Sequence, residues 1–236
     1  MNNVKVVLFD LDGTLLPMDL DVFTKAYFEG LVRALLPYGY DATRLSASIW
    51  EGTKAMIKND GTRLNETAFW EKFVEINGTD AEGAKPILQK FYEERFDNVK
   101  ESCGFNPDAA KLVSRIKSMG YRVALATNPL FPSIATEKRI AWAGLSPSDF
   151  ELYTTYENSR YTKPHLEYYR EVLKKLSVNA EDCIMVGNDV SEDMVAGKLG
   201  MKTFLLTDNL INKNNEDISV YPHGDLKDLV EFIKAI

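Results

Sequence analysis

Paired cysteine, histidine and basic charge are all scarce in this chain, and each shortage narrows what it can do. Its 236 residues include two cysteines, Cys103 and Cys183, far apart and in no CxxC pair. That leaves no disulfide framework and no thiolate zinc site, and it points to a reduced, cytoplasmic protein. The two histidines, His165 and His223, match no metal-binding spacing, so imidazole ligation is not expected. Lys and Arg number 28 against 35 Asp and Glu, giving a net charge of −7 and a pI of about 5.0. With no basic cluster, neither nucleic acid nor a membrane surface is an expected partner. No apolar run reaches the ~18 residues of a membrane span. The start, Met1-Asn2-Asn3-Val4-Lys5-Val6, lacks the regions of a signal peptide. Internal repeats and low-complexity segments are also missing.

What is present is an ordinary globular composition, 45% hydrophobic and 27% charged, long enough for a real core. Val4-Lys-Val-Val-Leu-Phe9 reads as a buried strand stopped by Asp10-Leu-Asp-Gly13. From Asp19 to about Val99 helical spacing takes over. Val22, Ala26, Leu31 and Leu35 form one apolar stripe, Phe69, Phe73 and Ile76 another, and Leu88, Phe91, Tyr92 and Phe96 a third. Breaks are expected at Pro37-Tyr-Gly39, Asn59-Asp-Gly61 and Asn77-Gly-Thr79. After Gly104, helices and strands alternate. Asn106-Pro107 opens a helix that Gly120 closes, and the strand 122–127 follows. A helix is expected over 164–176, a strand over 183–187, a short helix from Ser191 and a strand over 202–206. Asp225 caps a last helix. This alternation predicts an α/β fold: a parallel, Rossmann-like sheet with helices on both faces, interrupted by an all-helical insertion. The expected division is a discontinuous core, 1–17 and 103–236, and an inserted domain, 18–102.

Ligands of open parallel sheets bind outside the carboxyl ends of the strands. Three predicted strand ends carry chemistry: Asp10 and Asp12 after the first, Thr127 and Asn128 after the second, Asn188 and Asp189 after the third. Two carboxylates two residues apart repel unless a cation lies between them or one is protonated. Oxygen donors of this kind suit Mg²⁺. A carboxylate can attack phosphorus, provided the site cancels the repulsion between two anions. Mg²⁺ and a lysine would do so, with the Thr127 hydroxyl and the Asn128 backbone N–H assisting. A second carboxyl, Asp12, could protonate the leaving group and later accept a proton from water.

Asp10-Leu-Asp-Gly-Thr-Leu15 resembles the first motif, DxDGT, of the haloacid dehalogenase-like hydrolases. Ala-Leu-Ala-Thr127-Asn128 is similar to the second, Tyr-Thr-Lys163-Pro164 to the third, and Val-Gly-Asn188-Asp189-Val-Ser-Glu-Asp193 to the acidic fourth. Order and spacing match over nearly the whole chain. The resemblance implies a phosphatase with a C1-type helical cap, akin to phosphoglycolate phosphatases and β-phosphoglucomutases. Asp10 would be the nucleophile and Asp12 the general acid and base. Thr127, Asn128 and Lys163 would hold the phosphoryl group. Asp10, the Asp12 backbone carbonyl, Asp189 and the neutral Asn188 would hold Mg²⁺. The fourth motif departs from the usual Gly-Asp: either Asn188 takes the aspartate's place with Asp189 beside it, or the turn is shifted by one and Asp193 is the second acid.

Taken singly, Thr127 reads as a strand-end residue and Lys163 as a surface lysine; their order with DxDGT gives them weight. Trp50, Trp70 and the tyrosines of the insertion read as packing residues. Residues 209–215 read as a polar loop without chemistry. The expected substrate is a small phosphorylated metabolite, chosen by the insertion, with Met18, Asp19 and 50–58 as candidate contacts. A sugar-phosphate mutase, or a phosphonate hydrolase using Lys25, Lys54 or Lys58, would share the motifs. A non-catalytic phosphate-binding regulator is the alternative of another class. A phospho-accepting receiver domain is about half this length and lacks the insertion.

Overall fold

The computed structural model of the chain describes residues 4–78 and 81–236. Thr79, at the third expected break, and Met1-Asn2-Asn3 lie outside the described residues. Five strands form one parallel sheet: β1 (Val6–Phe9), β2 (Arg122–Leu125), β3 (Cys183–Gly187), β4 (Lys202–Leu206) and β5 (His223–Gly224), in the order β2-β1-β3-β4-β5. Phe9 stands beside Leu125 and Val186, so three strand ends share one rim.

Both faces of this sheet are covered, which explains why β1 is apolar at every position. Alternate residues Val7, Phe9, Val123, Leu125, Ile184 and Val186 pack with α5 (Pro107–Ser118) and α8 (Leu226–Ala235). Their neighbours Val6, Leu8, Ala124, Cys183 and Met185 pack with α7 (Leu166–Leu176). Side chains along a strand alternate between faces, so one short apolar run serves two cores. Asn106 caps α5 through the Asp108 N–H, and Asp225 and Asp228 form a capping box on α8.

The segment between β1 and β2 is helical: α1 (Leu20–Leu35), α2 (Ala42–Ile57), α3 (Asn65–Asn77), α4 (Ala81–Glu94) and a 3-10 stretch, Phe96–Ser102. Its entry and exit run side by side. Met18 bridges to Cys103, and the Gly104 N–H donates to Pro17 O at 2.7 Å. The expected stripe on α1 is rotated. Phe23, Tyr27, Leu31 and Leu35 are buried, while Val22 is 53% exposed. The larger aromatic rings win the interior because each buries more apolar surface than a valine. Tyr27 sits among Phe91, Tyr92 and Phe96, with ring centroids 6.0–6.4 Å away.

The expected short helix from Ser191 is a turn followed by a 3-10 stretch, Met194–Leu199. The helix before it starts at Leu166, past Pro164. Neither β5, only two residues long, nor α6 (Ser133–Trp142), whose apolar face is interrupted by a charge, was expected.

Candidate active site

The sheet order reverses at β1, and the candidate residues collect there, as the switch-point rule requires. Asp10 leaves β1 with its backbone N–H still in the ladder, donating to Val186 O at 2.9 Å. Its side chain is nearly buried, and Lys163 Nζ donates to its Oδ1 at 2.8 Å. The same ammonium donates to Asp193 Oδ1 at 2.6 Å. Asp193 Oδ2 accepts the Asp189 backbone N–H at 3.0 Å. Asp193 is thus a fully buried clamp between the lysine and the turn after β3, the geometry of a lysine-positioning group. A Cβ on Gly187 would lie 2.0 Å from Asp193 Oδ2, so only glycine admits that carboxylate.

The loop after Asp10 closes on the neighbouring strand end. Thr14 Oγ1 donates to Asn188 Oδ1 at 3.0 Å, with Asp10 Oδ2 at 3.4 Å. Gly13 has φ +88°, and a Cβ there would lie 2.3 Å from Asn188 Nδ2. Asn188 Nδ2 donates to Asn209 O at 2.7 Å, and Asn209 Nδ2 to Gly13 O at 3.2 Å. The 209–215 loop, read as idle, therefore props the site, and its Ile211 and Lys213 line the cavity above it. Thr127 is buried at the end of β2. Its carbonyl accepts from Thr154 Oγ1 at 2.6 Å and Tyr168 OH at 2.9 Å, which fixes the loop carrying Asn128.

Burial pushes the Asp10 carboxyl up to about 7; Lys163 acts against this, while Asp193 and Asp12 add to it. The converse holds at Lys163, where Asp10 and Asp193 outweigh burial and hold the ammonium well above its usual range. A site that makes its own carboxylate hard to ionise asks for a further cation. Among the described residues no three His, Cys, Asp or Glu side chains converge as a closed metal cage. The donors at the rim are all oxygens: Asp10, Asn188 Oδ1, Asp189, and the segment at Asp12, whose Oδ1 is buried without a hydrogen-bond partner. Asp189 Oδ1 already accepts the Ser191 and Glu192 N–H groups at 2.8 and 2.9 Å. A partial, all-oxygen set fits Mg²⁺, which keeps several waters, and does not fit zinc.

Three participants escaped the sequence reading. Arg139, on the unexpected α6, is fully buried and forms an ion pair with Asp12 Oδ2. Its guanidinium lies 4.3 Å from the Phe131 ring centre. The available signal was an arginine about one turn from Ala135 on one side and from Ala143 on the other, on a buried register that a surface arginine would not share. Glu192 accepts from Asn128 Nδ2 at 3.0 Å, and burial pushes it up to about 7. Asn65, buried at the start of α3, donates to Pro129 O and Tyr161 O, both at 3.3 Å. Its backbone N–H donates to Ser159 O at 2.8 Å. The insertion is therefore fastened to the two core loops that carry Thr127 and Lys163. Of the candidate substrate contacts, Trp50, Thr53 and Ile57 line the cavity. Asp19 instead caps α1, and Met18 is buried in the connection.

Above Asp10, Asp12, Thr127 and Asn128 lies a cavity of about 550 Å³, walled on the other side by α1–α4. A family profile described as haloacid dehalogenase-like hydrolase matches residues 4–200. Over 132 residues the chain is 29% identical to a glyceraldehyde 3-phosphate phosphatase of Methanocaldococcus jannaschii, covering 55% of this chain and 57% of that one. It is 28% identical to a phosphoglycolate phosphatase of Colwellia psychrerythraea, over 82% of this chain and 80% of the relative. The crystal structure of a 2-haloacid dehalogenase from Pseudomonas syringae pv. Tomato DC3000 superposes with a TM-score of 0.64 at 19% identity, covering 98% and 99% of the two chains. At that identity the likeness concerns the fold alone.

Proposed function

The chain belongs to the haloacid dehalogenase-like hydrolases, and we propose that within them it is a magnesium-dependent phosphatase working through an aspartyl-phosphate on Asp10. The observation that carries the reading is Asp10 itself: a buried carboxylate clamped by Lys163, beside a second carboxyl, at the floor of a cavity. In this reading Asp10 attacks the phosphorus of a phosphate monoester. The bond to the leaving oxygen breaks, and Asp12 supplies that oxygen with a proton. Arg139 holds Asp12 Oδ2 and leaves Oδ1 as the atom that exchanges the proton. Asp12 then takes a proton from water, the water oxygen attacks phosphorus, and Asp10 is released with inorganic phosphate. Thr127, Asn128 and Lys163 hold the phosphoryl oxygens. Bound by Asp10, the Asp12 carbonyl, Asp189 and Asn188, Mg²⁺ would supply positive charge against the anionic phosphoryl group.

The division into a core, 1–17 and 103–236, and a cap, 18–102, belongs to the same proposal. The adjoining connections at Pro17-Met18 and Cys103-Gly104 suit a hinge. A phosphonate hydrolase fits less well: Lys25, Lys54 and Lys58 do not line the cavity, and Lys85, which does, pairs with Glu66 at 3.3 Å. The DxD pair separates the phosphatase reading from a dehalogenase, which needs no second acid. Among the described residues no helix is long and apolar enough to cross a membrane. Both cysteines are free thiols, which supports the cytoplasmic assignment. The test is release of inorganic phosphate from monoesters in Mg²⁺. Activity should vanish in chelator and in Asp10→Asn, and Asp189→Ala should raise the Mg²⁺ requirement sharply. Full activity in chelator would sink the metal-assisted reading.

A further inference from the structure

The cavity does not suit the short aliphatic phosphates that a metabolite phosphatase of this kind brings to mind. At about 550 Å³ it lies within the ~300–1,000 Å³ range of pockets that enclose drug-sized ligands. A chain of two or three carbons would leave most of it filled with water against ring faces. Aromatic rings make up much of its walls. Phe28 and Trp50 meet edge to face with ring centroids 6.2 Å apart, Phe69 and Trp70 at 5.3 Å, and Tyr27 and Phe131 at 5.1 Å, and all six line it. Trp50 is 48% exposed, so packing alone does not account for its place.

Charge restricts the occupant further. Two lysines line the cavity. Lys85 is engaged by Glu66, and Lys213 acts on Asp189 near the floor. The lining also includes Asp21 and Glu157, and the Glu157 carboxylate accepts the Ser133 N–H at 2.8 Å. Lys85 lies over the Trp70 ring, 5.5 Å from its centre, and its pairing with Glu66 disfavours a second anionic group beside the rings. A neutral hydroxyl, Thr24, lines the cavity and can meet a ring heteroatom. Nor is the space a by-product of a detached cap, since Asn65 fastens α3 to the core loops beside the site.

Building on the phosphatase reading, we propose that the substrate is a monophosphate ester of a primary alcohol that bears a flat, uncharged ring system. The phosphate sits at Asp10 and the ring lies among Trp50, Phe28 and Tyr27. Stacking of a flat ring on aromatic faces tolerates different ring chemistries, so the class is set by shape and charge. Trp50, read from the sequence both as packing and within the candidate contacts 50–58, becomes a specificity residue.

The test compares primary-alkyl esters, whose leaving groups are alike, in Mg²⁺: flavin mononucleotide and adenosine 5′-monophosphate against glyceraldehyde 3-phosphate and phosphoglycolate. At least one ring-bearing ester should exceed both short esters in kcat/KM by 100-fold or more. Trp50→Ala should reduce that ratio at least tenfold, mainly through KM. Flavin fluorescence should be quenched on mixing with Asp10→Asn, and much less with Asp10→Asn/Trp50→Ala. Turnover in which a short ester equals or exceeds both ring-bearing esters overturns this inference and leaves the phosphatase reading standing. A ratio unmoved by Trp50→Ala also overturns it. Turnover of no ester at all overturns the phosphatase reading, and this inference with it.

Discussion

Replacing Arg139 by methionine removes a buried guanidinium and keeps most of its volume. Arg139 is fully buried, and its partner Asp12 is 16% exposed by side chain. Removing one member of a buried ion pair costs about 3–5 kcal/mol, because the other charge is left uncompensated. Asp12 borders the cavity and can recover some hydration there, so the lower end applies, about 3 kcal/mol. For a chain of this size each kcal/mol moves Tm by about 2–4 °C, so Arg139→Met should melt about 6–12 °C lower. Asp12→Asn alone should also destabilise, since it strands the arginine. The double variant should be more stable than the sum of the two losses by at least about 1 kcal/mol, as expected of contacting residues. Urea denaturation of the four proteins measures all three quantities. Additive losses, or an Arg139→Met protein within about 0.5 kcal/mol of the parent, would refute the view that this pair is structural to the site.

Asp10 should make stability depend on pH in an unusual direction. Its carboxyl is raised from 3.8 to about 7 on folding, so between these values the folded protein holds a proton that the unfolded chain releases. Stability from this group therefore falls as pH rises from about 4 to 7, by at most ~1.4 kcal/mol per unit. Relative to wild type, Asp10→Asn should gain stability across that window without metal, and Mg²⁺ above pH 7 should stabilise wild type alone; melting curves check both. Gly13→Ala forces a Cβ against Asn188 at a positive φ; it should cost ~1–3 kcal/mol and most of the activity, read by denaturation and phosphate release. Asn65→Ala removes the two side-chain bonds from α3 to the loops of Thr127 and Lys163; faster amide exchange at Leu130 and at 159–161 should report it.

Strands β1 to β4 were legible because each holds a short apolar run ending in turn residues, and β1, covered on both faces, is apolar throughout; β5, two residues long, offered no such run. Asp10, Thr127 and Asp189 could be placed on one rim as strand-end residues, whereas Lys163 could be placed only by its order with the DxDGT motif; the fold brings its ammonium to Asp10 at 2.8 Å. Arg139 was not legible, since its role depends on α6 folding back over Asp12, a contact 127 residues apart in sequence. The place of Asp193 in the fourth motif was also tertiary. The Lys163–Asp193 contact and the room provided by Gly187 show where Asp193 sits, and both alignments accommodate that. The rotated stripe of α1 shows the limit of periodicity: spacing gives a face, but the packing partners decide which rings occupy it. Trp50 was read both as packing and, within 50–58, as a candidate contact, and it both packs on Phe28 and lines the cavity, because a cavity wall and a core wall share one composition.

The central claim is that Asp10 carries the phosphoryl group while Asp12 moves protons. It is tested most directly in Asp12→Asn, mixed with an aryl phosphate and Mg²⁺, quenched in acid within milliseconds and mapped by mass spectrometry. A good leaving group needs little protonation, so the first step should survive in part while water attack slows. One phosphoryl adduct should accumulate on Asp10 and be absent when chelator replaces Mg²⁺. An adduct on any other residue, or phosphate released at the wild-type rate with no adduct, would contradict the account.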